Sequence, residues 1–197
     1  MYNYFEGRLD ELNPTFAVVD CAGVGYLMEI SLTTYERLKD HARREGEKVR
    51  LYVHESIRED AHLLFGFYDQ AERQMFRLLV GVNGVGPASA RMILSSMTAD
   101  ELQQAIVSQN AKLVQRAKGI GAKTAQRIVL ELQDKVDAAA VAVAGGAASS
   151  SACLTEASIA LEMLGFPKPN IAKALQKVGN EPGLSTEEII KRALKVL

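Results

Sequence analysis

Two heptapeptides stand out for what their residue types can do. Gly84-Val85-Gly86-Pro87-Ala88-Ser89-Ala90 and Gly119-Ile120-Gly121-Ala122-Lys123-Thr124-Ala125 share both glycines, the aliphatic residue between them, a hydroxyl residue and an alanine. They recur at an offset of 35 residues, which marks a duplicated supersecondary unit. Glycine admits positive φ and close backbone approach, and Val85 and Ile120 are suited to anchor each turn in a core. A helix that starts straight after such a turn leaves its first N–H groups unpaired, and these, with the helix dipole, attract an anion. The chemistry on offer is the holding of phosphate. Contacts of this kind touch the nucleic-acid backbone rather than base edges, so little sequence preference is expected.

The residues around the turns support that reading. Pro87 fits a first helical turn, where no N–H is needed. In the second copy Lys123 and Arg127 are four apart and share a helical face, with Lys118 just before the turn. A dinucleotide-binding turn needs a third glycine in GxGxxG, and Ser89 or Thr124 stands there instead, with no βαβ pattern around either copy. One GxG alone is an ordinary helix C-cap; two in register are specific. Helix-like runs flank each copy, Gln70–Val80 with Ser89–Met97 and Asn110–Ala117 with Thr124–Lys135, so each unit reads as a helix-hairpin-helix.

Charge is distributed to match. The net charge of −1 divides into 8 Lys+Arg against 12 Asp+Glu over 1–66, 9 against 6 over 67–136, and 6 against 6 over 137–197. The positive excess sits on the segment with the repeated turns, as an electrostatic footprint on phosphate requires. Its small size predicts weak, salt-sensitive affinity for ordinary duplex. No apolar run approaches the ~20 residues that span a bilayer, and the start lacks a signal-peptide layout. Cys21 and Cys153 stand far apart with no CxxC, which fits a reducing cytoplasm. His41, His54 and His62 lack metal-ligand spacing, so no metal and no cofactor is expected.

The elements that must position the turns follow from periodicity. Residues 1–66 read as a small β-barrel of the OB type: Met28, Ile30 and Leu32 alternate with polar neighbours, as do Val49, Leu51 and Val53, with a helical insert over Thr34–Arg44. Tyr2, Tyr4, Phe5 and Tyr26 either stack on nucleic acid or fill the barrel. Glu59 and Asp60 interrupt the strands as a solvated turn, or as paired carboxylates presented to DNA. Residues 67–136 are helical, with a capping box at Thr98-Ala99-Asp100-Glu101. Met75, Leu78, Leu79 and Val82 recur at helical spacing as core. Residues 137–152, rich in Ala, Gly and Ser, read as a flexible linker. Residues 153–197 form a three-helix, UBA-like module, its third helix capped at Ser185. Its apolar stripe of Leu161, Leu164 and Phe166 either packs internally or docks a partner. The fold class is therefore α+β and multidomain.

Taken in order, Gly23-Val24-Gly25-Tyr26, Arg58-Glu59-Asp60-Ala61, Leu64-Phe65-Gly66-Phe67, Asn83-Gly84-Val85-Gly86-Pro87 and Gly119-Ile120-Gly121-Ala122-Lys123-Thr124-Ala125 closely resemble the RuvA family over essentially the whole chain. These are DNA-binding subunits of the bacterial Holliday junction branch-migration complex. The resemblance implies a homotetramer, singly or as two tetramers sandwiching the junction, that holds a four-way DNA junction open for recombination and repair. It implies a DNA grip at Asn83, Gly84, Gly86, Lys118, Gly119, Gly121, Lys123 and Arg127, to which Ser89, Arg91 and Thr124 beside the turns are added as candidate DNA-binding residues, and an acidic pin at Glu59 and Asp60. It further implies that Leu161 and Leu164 contact the hexameric RuvB ATPase, with the RuvC resolvase as a further partner. Ala88 and Ala122 stand where the family often has basic residues, which shifts the expected grip towards Arg91 and Lys118.

Without a GxxxxGK[ST] loop, no ATP hydrolysis is expected of this chain. The alternative from another class is a helix-hairpin-helix base-excision glycosylase/lyase using Lys123 for a Schiff base. Such an enzyme needs a pocket for a flipped base, and no segment of the sequence supplies one.

Overall fold

The computed structural model describes residues 1–42, 47–143, 150–178 and 184–197. The chain divides into two compact units, Met1–Val136 and Asp137–Leu197.

The first unit begins with five strands, β1 (Tyr4–Asn13), β2 (Phe16–Cys21), β3 (Val24–Ile30), β4 (Lys48–Ile57) and β5 (His62–Phe67), and helix α1 (Leu32–Ala42) lies between β3 and β4. They close into a barrel in the order β1-β2-β3-β5-β4, antiparallel except where β3 meets β5. Alternation dictates this: Val49, Leu51 and Val53 of β4 turn inward to meet Phe5, Ala17, Val19, Met28, Ile30 and Leu38. The inward set does not extend to Leu32. Ser31 ends the strand pattern and α1 opens at Leu32, leaving that side chain 45% exposed. Phe5 is core and stacks on Tyr26 with ring centroids 3.9 Å apart, while the exposed Tyr4 lies under the Arg50 guanidinium.

Five helices follow the barrel among the described residues, α2 (Gln70–Val80), α3 (Pro87–Ser96), α4 (Ala99–Val107), α5 (Ala111–Val114) and α6 (Ala122–Val143), and the second unit continues with α7 (Ser150–Met163). The predicted capping box at Thr98 and Glu101 forms, its hydroxyl accepting from the Glu101 N–H. The helices α2 to α6 share one apolar core that also takes in Phe65 and Phe67 of β5, so barrel and helices are joined through β5. A polar seam joins them again. Glu72 of α2 is 3% exposed and accepts hydrogen bonds from the Ser31 and Thr34 hydroxyls. The Thr33 hydroxyl donates to the Leu94 carbonyl at 2.6 Å, and the Leu32 N–H donates to Ser95 Oγ at 3.1 Å.

The linker expected over 137–152 lies partly, at 144–149, outside the described residues. On either side the chain is helical: α6 runs on through the alanines to Val143, and α7 starts at Ser150. Alanine has the strongest intrinsic helix preference, which outweighs the low complexity of the stretch.

In the second unit α7, α8 (Lys168–Val178) and α9 (Thr186–Ala193) enclose Leu161, Ile171, Ala174 and Ala193. Gly165, at φ +94°, closes α7. Its N–H donates to the Glu162 carbonyl and the Phe166 N–H to the Leu161 carbonyl, a Schellman ending. Helix α8 opens two residues ahead of the expected Asn170, since Pro169 sits in its first turn, where its missing N–H costs nothing. Ser185 and Glu188 form the capping box expected for α9.

Candidate nucleic-acid interface

The two glycine turns fold alike. Gly84 and Gly119 both sit at φ +88°, a conformation other L residues resist. Val85 and Ile120 are buried, and their N–H groups donate to the Val82 carbonyl at 3.0 Å and the Ala117 carbonyl at 3.1 Å. One turn later the Ala90 N–H donates to the Gly86 carbonyl and the Ala125 N–H to the Gly121 carbonyl, each at 2.9 Å. The sequence repeat is thus a repeat of geometry. Helix α5, leading into the second turn, is only four residues long against the expected run of Asn110–Ala117. Asn110 caps it, accepting from the Leu113 N–H.

Gly86 is the N-cap of α3 and offers no side chain to satisfy the first N–H groups, so these stay open to an outside acceptor. Asn83, Gly84, Gly86, Lys118, Gly119, Gly121 and Lys123 are all exposed, and Ser89 and Thr124 are half-buried beside them. At the 35-residue offset Lys118, Lys123 and Arg127 correspond to Asn83, Ala88 and Met92. These three cations are therefore on the second copy, and the one cation that follows the first turn, Arg91, is engaged elsewhere. Lys123 is exposed in the first turn of α6.

Two arginines depart from expectation. Arg91 points at the barrel, where it donates to the Thr15 carbonyl at 3.0 Å and pairs with Glu29 at 3.4 Å. It is a tie between α3 and the barrel, because β3 offers it a carboxylate at that height. Arg127 donates to the carbonyl of Asn83 at 3.1 Å and lies 3.8 Å from Glu131. Sequence reasoning missed this bridge between the copies; its one trace is that Arg127 has no basic counterpart at Met92 of the first copy.

Glu59 and Asp60 occupy the tip of the β4–β5 hairpin, both exposed, with the Arg58 N–H donating to the Ala61 carbonyl at 2.8 Å across the loop. They are presented to solvent on a projecting turn. In the second unit the stripe is split: Leu161 is 0% exposed within the module core, while Leu164 is 60% exposed and Met163 beside it 84%. The i, i+3 spacing put both leucines on one face, but the three-helix core claims the inner one. Leu161 is thus not available on the surface as the exposed stripe required.

The buried Glu72 was also missed. Asp69 caps α2 by accepting from the Glu72 N–H, a signal that Glu72 lies in a first turn but not that it is enclosed. Burial pushes its carboxyl above the usual range, and the Ser31 and Thr34 hydroxyls pull the other way. His54 is driven below the ordinary imidazole value by burial, then by Arg77 and Arg73. Among the described residues no three His, Cys, Asp or Glu side chains are grouped to hold a metal ion, and no helix is long and apolar enough to cross a membrane.

Comparison with known proteins agrees with this architecture. Residues 1–66 match the family model described as RuvA N terminal domain, residues 76–134 the SAM-like helix-hairpin-helix tandem, and residues 153–197 the RuvA C-terminal domain. The chain is 44% identical to the Holliday junction branch migration complex subunit RuvA of Bacteroides thetaiotaomicron over all of both chains. It is 42% identical to that of Christiangramia forsetii, again over all of both, and 44% identical to that of Parabacteroides distasonis. With its barrel, its paired glycine turns and its C-terminal module matched along the full length, the chain belongs to the RuvA family.

Proposed function

We infer that this chain is the DNA-gripping subunit of a Holliday junction branch-migration complex, with no catalytic site of its own. The observation that carries the reading is the pair of glycine turns at one shared φ, each opening a helix, with Gly86 leaving the first N–H groups of α3 without a side-chain cap. Phosphates of one duplex arm sit on these N–H groups, and Lys118 and Lys123 add charge. One chain supplies one pair of turns. A four-way junction has four arms, so four copies related by rotation match it, as one tetramer or as two on opposite faces.

Glu59 and Asp60, at the hairpin tip, act as the pin at the crossover. Their charge repels phosphate and keeps separated strands from re-annealing in place. The working division is 1–66 for the barrel, 67–136 for the grip, 137–152 as tether and 153–197 as the docking module for the RuvB motor, with Leu164 and Met163 on the contacting surface. RuvB hydrolyses the ATP that moves the arms, RuvC cuts the held junction, and all of this takes place in the cytoplasm.

The test is a branch-migration assay on a labelled four-way junction with RuvB and ATP. Junction dissociation is expected only when this chain is present, and an equal rate without it refutes the reading.

A further inference from the structure

We propose that Arg127 is a positioning residue that locks the peptide between Asn83 and Gly84, and through it aims the first turn. This rests on the reading that the turn presents N–H groups to phosphate. The guanidinium of Arg127, on the second copy, donates to the Asn83 carbonyl at 3.1 Å, and Gly84 follows at φ +88°. A peptide unit is planar and trans, so its C=O and N–H point in opposite directions. Holding the Asn83 oxygen against Arg127 therefore fixes the Gly84 N–H to the opposite side. No partner for that N–H stands among the described residues.

The lock is needed at this peptide in particular. Glycine follows it, no atom lies within 4 Å of a Cβ built at Gly84, and both Asn83 and Gly84 are exposed. Glycine tolerates the φ of either peptide orientation, and a flipped peptide would offer phosphate a carbonyl oxygen in place of an N–H. Burial of Val85 holds the residue beyond, not this peptide. The second turn lacks such a bridge, because Met92 stands at the position equivalent to Arg127 and has no donor. Lys118 and Lys123 supply charge there instead. Each turn thus has its own means of favouring an anion: direct charge at the second, an aimed peptide at the first.

Arginine is required for geometry, not only charge. Its planar fork of five donors can hold Asn83 with one edge and Glu131 with the Nε side, 3.8 Å away. A lysine carries the same charge as a single point and cannot span both.

The experiment compares the full chain with Arg127→Lys and Arg127→Gln. In the free protein, hydrogen exchange of a peptide covering residues 82–90 is expected to speed up at least about threefold in both variants. Unchanged exchange in Arg127→Gln overturns the proposal. On a four-way junction titrated across salt, both variants are expected to bind about tenfold more weakly with the salt slope unaltered. Arg127→Lys binding like the parent, or a slope reduced by about one unit per subunit in Arg127→Gln, about 4 for four copies, makes Arg127 a phosphate contact and overturns it. Lys123→Gln is the control for the underlying reading. If it leaves the slope unchanged while exchange at 82–90 still responds to Arg127, phosphate holding by the second turn fails and the lock stands.

Discussion

The Arg127 guanidinium of the second repeat lies 3.1 Å from the Asn83 carbonyl of the first, so the two glycine turns are tied to each other by a side chain and not only by a shared core. That tie divides the labour between the copies. Charge belongs to the second, backbone to the first.

The division predicts how salt acts. Replacing Lys118 and Lys123 together with Gln should cut the salt slope of junction binding by about 2 per subunit, hence about 7 for four copies on one junction, since each lost phosphate contact removes roughly 0.9. Stability should stay within about 0.5 kcal/mol, because both side chains are exposed. Fluorescence anisotropy over a salt series reads the slope directly.

Gly86 separates binding from folding. It caps α3 at φ −85° and ψ 170°, which any residue adopts, and no atom lies within 4 Å of an added Cβ. Gly86→Ser should leave stability unchanged or raise it by a few tenths of a kcal/mol, because serine accepts from the first helical N–H groups. The same hydroxyl takes the donors a phosphate needs, so junction affinity should fall. Gly84→Val, by contrast, should cost about 1–2 kcal/mol in chemical denaturation through its φ of +88°.

Glu72 holds the barrel to α2 through Ser31 and Thr34. Glu72→Ala strands two buried hydroxyls and empties their acceptor site, so a loss of about 2–4 kcal/mol is expected in urea titration. Glu59→Gln with Asp60→Asn, on the exposed hairpin tip, should lie within about 0.5 kcal/mol of the parent in the same titration. That pair should change branch-migration rate more than junction affinity.

His54 makes stability fall in mild acid. Burial, then Arg77 and Arg73, hold its pKa below the unfolded value of about 6.5. Between the two values the unfolded chain binds a proton that the folded chain does not. Stability is therefore whole above about 6.5 and declines as pH drops through the folded pKa. Glu72 has the opposite slope: its raised pKa favours the folded state below its unfolded value, a contribution lost as pH rises through the folded one. His54→Phe, packed against Phe65 and Phe76, should isolate the histidine effect. Urea midpoints at pH 7.5 and 5.5 should differ less in the variant than in the parent; equal differences contradict the assignment.

Much of this was legible because it is local. Period-two alternation placed Val49, Leu51 and Val53 in the barrel, and the GxG repeat placed both turns, since each pattern answers to neighbours a few residues away. What stayed hidden depends on residues distant in sequence. Arg91 reads as a basic residue just after a phosphate-holding turn, yet Glu29, 62 positions earlier, draws it to the barrel. Leu161 and Leu164 share a helical face, and only the packing of α8 and α9 decides which is enclosed. The alanines before Val143 read as a linker because no apolar stripe marks them, although alanine needs none to be helical.

The central claim is that paired turns, multiplied by rotation, recognise crossed duplexes. A gel-shift titration of the full chain on a four-way junction and on linear duplex of equal length, at one salt concentration, tests it most directly. Binding to the junction at least about a hundredfold tighter than to the duplex is predicted; equal affinity for the two would contradict it.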